Sequence, residues 1–296
     1  MIELVNAIAV HGDIHFWDVL GDIFYDKDGQ ATSQWFSMLS SAAKGMFFGA
    51  TPGNHDIWIN GQPILYSKGD PLGTAFMQFY GQDTMSSANG DSKMSPYNMT
   101  TNVDKKTLPP ASNFFYYHQI GNVVKIGYST MHHFQDMVQF FREACVFANL
   151  VQPDVVILEG HCNHIWNGCK DGSTVPQVYK KLSSIDVCLP IASKVRYFMG
   201  HQHCNLVWQV DVGFLVGGQG MPASRCGGSW GIPIVDTTMN LFRVLYFPLA
   251  KVNKYDNIGA ILDCFRAKGV SNCYHLAEVW ANVTLGSDSS GGVVHL

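Results

Sequence analysis

Residues 46–56 read Met46-Phe47-Phe48-Gly49-Ala50-Thr51-Pro52-Gly53-Asn54-His55-Asp56. The apolar run from Met46 to Ala50 predicts a short buried strand, and Pro52-Gly53 predicts the turn that ends it. Buried strands of an open α/β sheet present ligand-binding groups at their carboxyl ends, so Asn54, His55 and Asp56 would face a crevice. By composition alone, Gly53-Asn54-His55-Asp56 also suits an ordinary turn. Three further stretches repeat the arrangement. Phe16-Trp17-Asp18-Val19-Leu20 runs into Gly21-Asp22-Ile23-Phe24-Tyr25-Asp26, Val155-Val156-Ile157-Leu158-Glu159 into Gly160-His161, and Val195-Arg196-Tyr197-Phe198-Met199 into Gly200-His201-Gln202-His203. Four apolar runs that each end in glycine and then a metal-type ligand are more than turn composition explains.

These blocks, in this order, resemble the calcineurin-like metallophosphoesterase superfamily over residues 13–250. The Gly-Asp-x-x-Tyr form at Asp22 and Tyr25, together with Gly200-His201-Gln202-His203, looks most like its purple acid phosphatase branch. The resemblance implies an α/β (α+β layered) fold, a two-sheet β-sandwich flanked by helices. It also implies two metal ions bridged by Asp22. One ion would take Asp22, Asn54, His161 and His201; the other would take Asp22, Tyr25, His203 and a first-block aspartate. A phenolate ligand at Tyr25 favours a hard trivalent ion, hence iron paired with iron, zinc or manganese; without Tyr25 both ions would be divalent.

The expected activity is that of an acid phosphatase-like phosphomonoesterase, in which metal-activated hydroxide attacks a small phosphorylated substrate in line. His55 is expected to protonate the leaving alkoxide, with Asp56 orienting it. Two alternatives stay open: an impaired family member that binds metal or a phosphorylated partner without turnover, and a phosphodiesterase.

Taken in order, Leu4 to Val10 are apolar enough for a strand. Asp13-Ile14-His15 has the letters of a first metal-binding block. Only eight residues separate Asp13 from Asp22, however, and parallel neighbours need a crossover of a dozen or more. Asp13 is therefore expected at the edge of the strand that ends at Asp22, with the true first strand and its ligand missing. Thr32 to Lys44 carry apolar residues at helical spacing, which makes strand, helix, strand between Asp22 and Asn54, a right-handed crossover unit.

The Gly, Ser, Asn and Pro-rich stretch 60–112, with an amphipathic piece at 74–80, reads as a loop insertion forming a rim over the site. Phe114 to Ile126 predict a hairpin turning at Gly121-Asn122. Helices are expected from Phe134 to about Leu150, over Val175 to Ile191 and around Ile258 to Ala267. Leu206 to Val210, Phe214 to Gly217 and Leu241 to Phe247 read as antiparallel strands of a second sheet. The implied organisation is a phosphoesterase domain at 1–250, then a helical extension and mobile polar tail at 251–296.

Of 296 residues, 47% are hydrophobic and 14% charged, which suits a large core and excludes a disordered or fibrous chain. A net charge of −4 without clustered Lys and Arg argues against nucleic-acid binding. No apolar run is long enough for a membrane span. Eight cysteines and the triplets Asn98-Met99-Thr100 and Asn282-Val283-Thr284 are suggestive of a secretory route but common by chance, and the start lacks the pattern of a signal peptide; the resemblance implies a slight lean toward a secreted or luminal chain. Cys162 with Cys169, and Cys264 with Cys273, are candidate disulfides; Cys162, His164, Cys169 and Cys204 are the weaker alternative of a structural zinc site. His118, His132, His133 and His164 read as loop or rim residues, and His11 and His15 as structural.

Overall fold

A computed structural model of the chain describes residues 1–23, 25, 29–56, 76, 79, 80, 114–217, 230–250 and 257–285. The stretch read as a rim over the site lies outside these residues, apart from the buried Phe76 and Tyr80 and the half-buried Phe79. The polar tail beyond residue 285 lies outside them too.

Strand β1 (Phe16–Val19) pairs in parallel with β2 (Phe47–Ala50), in register from Phe16 opposite Phe47 to Val19 opposite Ala50. The chain passes between them through α2 (Gln30–Met38) and α3 (Ser41–Gly45). One continuous helix was expected here. It breaks at Leu39, whose backbone is extended, and restarts at Ser40, whose side chain accepts the Ala43 N–H at 3.1 Å as an N-cap.

The main sheet has six strands: β3 (Phe115–Ile120), β4 (Val123–Tyr128), β5 (Val155–Glu159), β6 (Val195–Met199), β7 (Asn205–Gln209) and β8 (Gly213–Val216), in the order β3-β4-β5-β6-β8-β7. The hairpin at Gly121-Asn122 is formed as expected, and β4, β5, β6 and β8 run parallel. Every residue of β4 and β5 is buried, as a sheet covered on both faces requires. In β5, Val156 and Leu158 face the cluster built on α4 (Phe134–Val151) and α5 (Val175–Leu182). Val155 and Ile157 face the other way, onto Phe242, Val244 and Ala281 of the second sheet. The stretch 183–194 completes the expected second helical region as a 3₁₀ helix, Asp186–Lys194.

That second sheet is β9 (Trp230–Asp236), β10 (Leu241–Ala250) and β11 (Glu278–Thr284), antiparallel in the order β11-β10-β9. Its outer face is covered by α1 (Ile2–Ile8) and α6 (Ile258–Lys268) through Leu4, Ala7, Ile8, Leu245, Phe247, Ile261 and Phe265. The layers are thus helices, mixed sheet, antiparallel sheet, helices: a two-sheet α/β sandwich. The segment after residue 250 contributes a strand to this sheet through the pairing of β11 with β10.

Two expectations fail here. Leu4 to Val10 do not form a strand: Leu4, Ala7 and Ile8 fall on one helical stripe against the second sheet, while Val5 and Ala9 face Leu39 and Ala43. Residues 206–217 do not join the second sheet: β7 and β8 form a hairpin, and β8 docks beside β6, with Leu215 in one core and Phe214 in the other. No helix among the described residues is long and apolar enough to cross a membrane.

Candidate metal centre

Four strand ends meet at one place. The Thr51 N–H donates to the Val19 carbonyl at 3.0 Å, and the Gly200 N–H donates to the His161 carbonyl at 2.8 Å, so the turns after β1 and β2, and after β5 and β6, are tied in pairs. The glycines at these turns are required sterically. A Cβ on Gly21 would lie 2.6 Å from His161 Nδ1 and 2.7 Å from the Gly53 nitrogen, and one on Gly53 would overlap the Asp22 carboxylate. Asp22, Tyr25 and His201 have φ values of 54°, 49° and 69°, a left-handed backbone uncommon for non-glycine residues, which Gln152, Asn167, Asp211 and Asn240 also adopt elsewhere in the chain.

The side chains converge. His161 Nδ1 stands 2.6 Å from the Leu20 carbonyl, which can only accept, so Nδ1 carries a proton. In the neutral ring Nε2 is then a bare lone pair. It faces Asp22 Oδ2 at 3.1 Å and Asn54 Oδ1 at 3.1 Å, both acceptors. His201 Nδ1 adds a fourth atom, 3.0 Å from Asn54 Oδ1 and 3.3 Å from His161 Nε2. Metal bonds of about 2.0–2.2 Å to N and O place neighbouring ligand atoms about 3 Å apart. The spacing of these four atoms is that of a coordination shell.

Asn54 and His161 are buried, and Asn54 Nδ2 and His201 Nε2 have no hydrogen-bond partner among the described residues. Ligand-type atoms this close together in a largely buried site can hold a cation, and the residues present fit one. Asp22, His161 and His201 are all within ligating reach of one another.

The charge states couple Asp22 to His161, and a proton on His161 Nε2 would occupy the lone pair that a cation needs. Burial opposes ionisation of Asp22, yet His161 and His55 hold its carboxyl down at about 2. Burial likewise opposes charge on His161, and the Asp22 carboxylate outweighs it, drawing the imidazole up. His201 is pushed down to about 3 by burial and by His161, which keeps it neutral.

Asp22 has further neighbours. The Tyr25 hydroxyl stands 3.4 Å from Asp22 Oδ2 and 2.9 Å from His203 Nε2. Asp22 Oδ1 accepts the His55 N–H at 2.9 Å, and the His55 ring lies against Tyr25 with centroids 4.4 Å apart. Asp56, read from sequence as the group orienting His55, has other engagements. Its Oδ2 accepts the N–H groups of Gly53 at 2.6 Å and Asp22 at 2.9 Å, and its Oδ1 accepts that of Ile23 at 2.6 Å. Asp56 clamps the two ligand turns to each other. Asp13 is held elsewhere, its carboxylate accepting the Ser271 N–H at 2.9 Å.

Cys162 and Cys169 are joined in a disulfide, as are Cys264 and Cys273, so the zinc alternative fails for want of free thiols. Cys145–Cys188, a third disulfide, was not foreseen. His132 is a buried residue rather than a rim residue, packed against Phe114 and Phe115, and His118 lies in β3 stacked on Tyr116.

A buried charge cluster beneath the centre was also missed. Lys125 of β4 pairs with Asp18 of β1 and, at 3.3 Å, with Glu159 of β5. Its signal was available in the charged letters inside otherwise apolar runs, Trp17-Asp18-Val19 and Leu158-Glu159-Gly160. The Leu20 carbonyl that orients His161 left no such signal, because every residue has one.

Comparison with known proteins bears on these residues. No curated protein matches the chain. Among solved structures, a crystal structure of a candidate 5′-nucleotidase from Staphylococcus aureus in complex with alpha-ketoglutarate matches at 12% identity and a TM-score of 0.37, over 98% of this chain and 50% of that one. The chain thus spans about half the length of that protein. The calcineurin-like phosphoesterase family matches residues 1–205, well over half of the sequence and all the strand ends described above. The chain therefore belongs to the calcineurin-like phosphoesterase family.

Proposed function

We propose that this protein hydrolyses phosphomonoesters at a two-ion centre of the purple acid phosphatase type. The observation that carries the reading is the position of Asp22. Its Oδ2 lies 3.1 Å from His161 Nε2, which neighbours Asn54 and His201, and 3.4 Å from the Tyr25 hydroxyl, which neighbours His203. A carboxylate so placed can serve two cations at once. The first set would hold a divalent ion, and a phenolate at Tyr25 favours a trivalent ion such as iron in the second. When bound, such a pair supplies Lewis-acid charge to the phosphoryl oxygens and lowers the pKa of a coordinated water toward neutrality.

The chain's own groups do the rest. His55, fixed through its N–H to Asp22, is the general acid for the departing alkoxide. Asp56 positions both ligand turns. The Leu20 carbonyl holds His161 in the tautomer that directs Nε2 inward.

Metal analysis of the purified protein, combined with hydrolysis of an aryl phosphate, tests the reading. Two ions per chain, with turnover lost in Asp22→Asn and reduced at least a hundredfold in His55→Ala, is the expected result. A second reading, a metal or phosphoprotein binder without turnover, is favoured by the engagement of Asp13 with Ser271, away from the cluster. One ion per chain and no turnover would decide for it. Faster hydrolysis of a bis-aryl phosphate than of the monoester would instead mark a phosphodiesterase.

A further inference from the structure

The disulfides Cys145–Cys188, Cys162–Cys169 and Cys264–Cys273 tie α4 to the 3₁₀ helix at 186–194, close the turn after β5, and tie α6 to the 3₁₀ helix at 271–276. No described cysteine is free. Bonds of this kind form and persist in oxidising compartments. One such compartment, the eukaryotic secretory pathway, holds enzymes that modify Asn-x-Ser/Thr triplets.

Asn282-Val283-Thr284 is such a triplet, and its place in the fold is specific. It lies on β11, at the edge of the second sheet, paired with β10 on one side. Asn282 and Thr284 are both exposed, while Ala281 is buried in the core between the sheets and Val283 packs against it. Asparagine and hydroxyl thus stand two residues apart on the same face of a strand, both exposed among the described residues. Neither Val283 nor Leu285 is proline, which would spoil the acceptor.

We propose that Asn282 carries an N-linked glycan. The donor is a lipid-diphosphate-linked oligosaccharide. The Asn282 carboxamide nitrogen bonds to the anomeric carbon, the bond from that carbon to the diphosphate oxygen breaks, the nitrogen gives up a proton, and the lipid diphosphate departs. A glycan there stands beside the outer edge of β11, where Val279 is 63% exposed. Unprotected edges invite pairing with another chain, and a hydrated glycan blocks that approach.

The test is expression of the full chain through the secretory pathway of a eukaryotic host, followed by peptide mapping before and after peptide-N-glycosidase treatment. The expected result is a glycosylated peptide spanning 278–285 that is released with Asn282 converted to Asp. Thr284→Ser should keep the glycan, whereas Thr284→Ala and Asn282→Gln should lose it, leaving one glycan fewer on the intact chain and aryl phosphate turnover unchanged. Unmodified Asn282 in secreted, disulfide-bonded wild-type protein would overturn the proposal. So would recovery of the cysteines as free thiols. Mapping the wild-type peptide makes the answer independent of whether any variant folds.

Discussion

The Asp56 carboxylate accepts three backbone N–H groups from two separate turns, so its effect on the site passes through Asp22 and Asn54 rather than through contact with substrate. Burial, reinforced by the neighbouring Asp22, pushes its carboxyl up to about 7. Asp56→Asn places an amino group against N–H donors. It should cost about 1.5–3 kcal/mol in denaturant unfolding and weaken metal binding in a titration of the metal-free protein. Equal stability and equal affinity in the variant would mean that the clamp contributes nothing. Tyr25→Phe belongs to the same scale: it removes the oxygen near Asp22 and His203, so metal content should fall from two ions to one while the fold is kept. Asp22, Asn54, His161 and His201 were readable as candidates because each follows a glycine at the end of an apolar run, and His203 because it lies two residues beyond His201. The role of Asp56 was not readable, because backbone N–H groups leave no letter in a sequence.

At the scale of elements, Lys125 is fully buried between Asp18 and Glu159 and so joins β1, β4 and β5 just below the ligand turns. Burial, reinforced by Asp18, pushes the Glu159 carboxyl up to about 8 against the pull of Lys125. Lys125→Met removes the cation that pairs with two packed acids, and breaking one partner of a buried ionic group costs about 3–5 kcal/mol. Urea unfolding of the variant should show a loss of that order, with metal binding reduced because β1 leads to Asp22 and β5 to His161. An unchanged midpoint would refute the role. The parallel pairs were legible from apolar runs spaced by helices. The assignment of β7 and β8 to the larger sheet was not, since a hairpin's own pattern says that its strands pair and not which sheet they join. The helix α1 was misread for a related reason: seven residues with few polar letters satisfy both periods, and only the packing of Leu4, Ala7 and Ile8 against the second sheet selects the helix.

At the scale of the whole molecule, stability rests on two cores either side of the six-stranded sheet and on long-range ties. Cys145–Cys188 closes a span of 43 residues, and by chain-entropy reasoning a loop of that length contributes about 4 kcal/mol. Replacing both cysteines by alanine should lower the unfolding free energy by about that amount and leave the metal content unchanged. The acid limb of the stability profile has an identifiable source in His132. Burial, with Lys170 and His133 nearby, pushes this imidazole down to about 3. Its folded pKa lies below the unfolded value of about 6.5. The unfolded chain therefore takes up a proton first, and stability is lost as pH falls from about 6.5 toward 3. His132→Phe, which suits a pocket lined by Phe114 and Phe115, should flatten thermal midpoints across that range and raise them by a few degrees near pH 5. A wild-type profile that does not decline below pH 6 would refute the assignment.

Sequence alone determined the family, the layered α/β class and the candidate ligands, because strand periodicity, terminal glycines and metal-type side chains are local properties that letters carry. Tertiary structure decided which atoms face one another: the Leu20 carbonyl on His161, the Asp56 clamp, the Lys125 cluster, the sheet that receives β8, and the Cys145–Cys188 bond. Each of these joins groups far apart in the chain, and such pairings are selected by burial and hydrogen-bond satisfaction across the whole fold, which no single stretch of residues encodes.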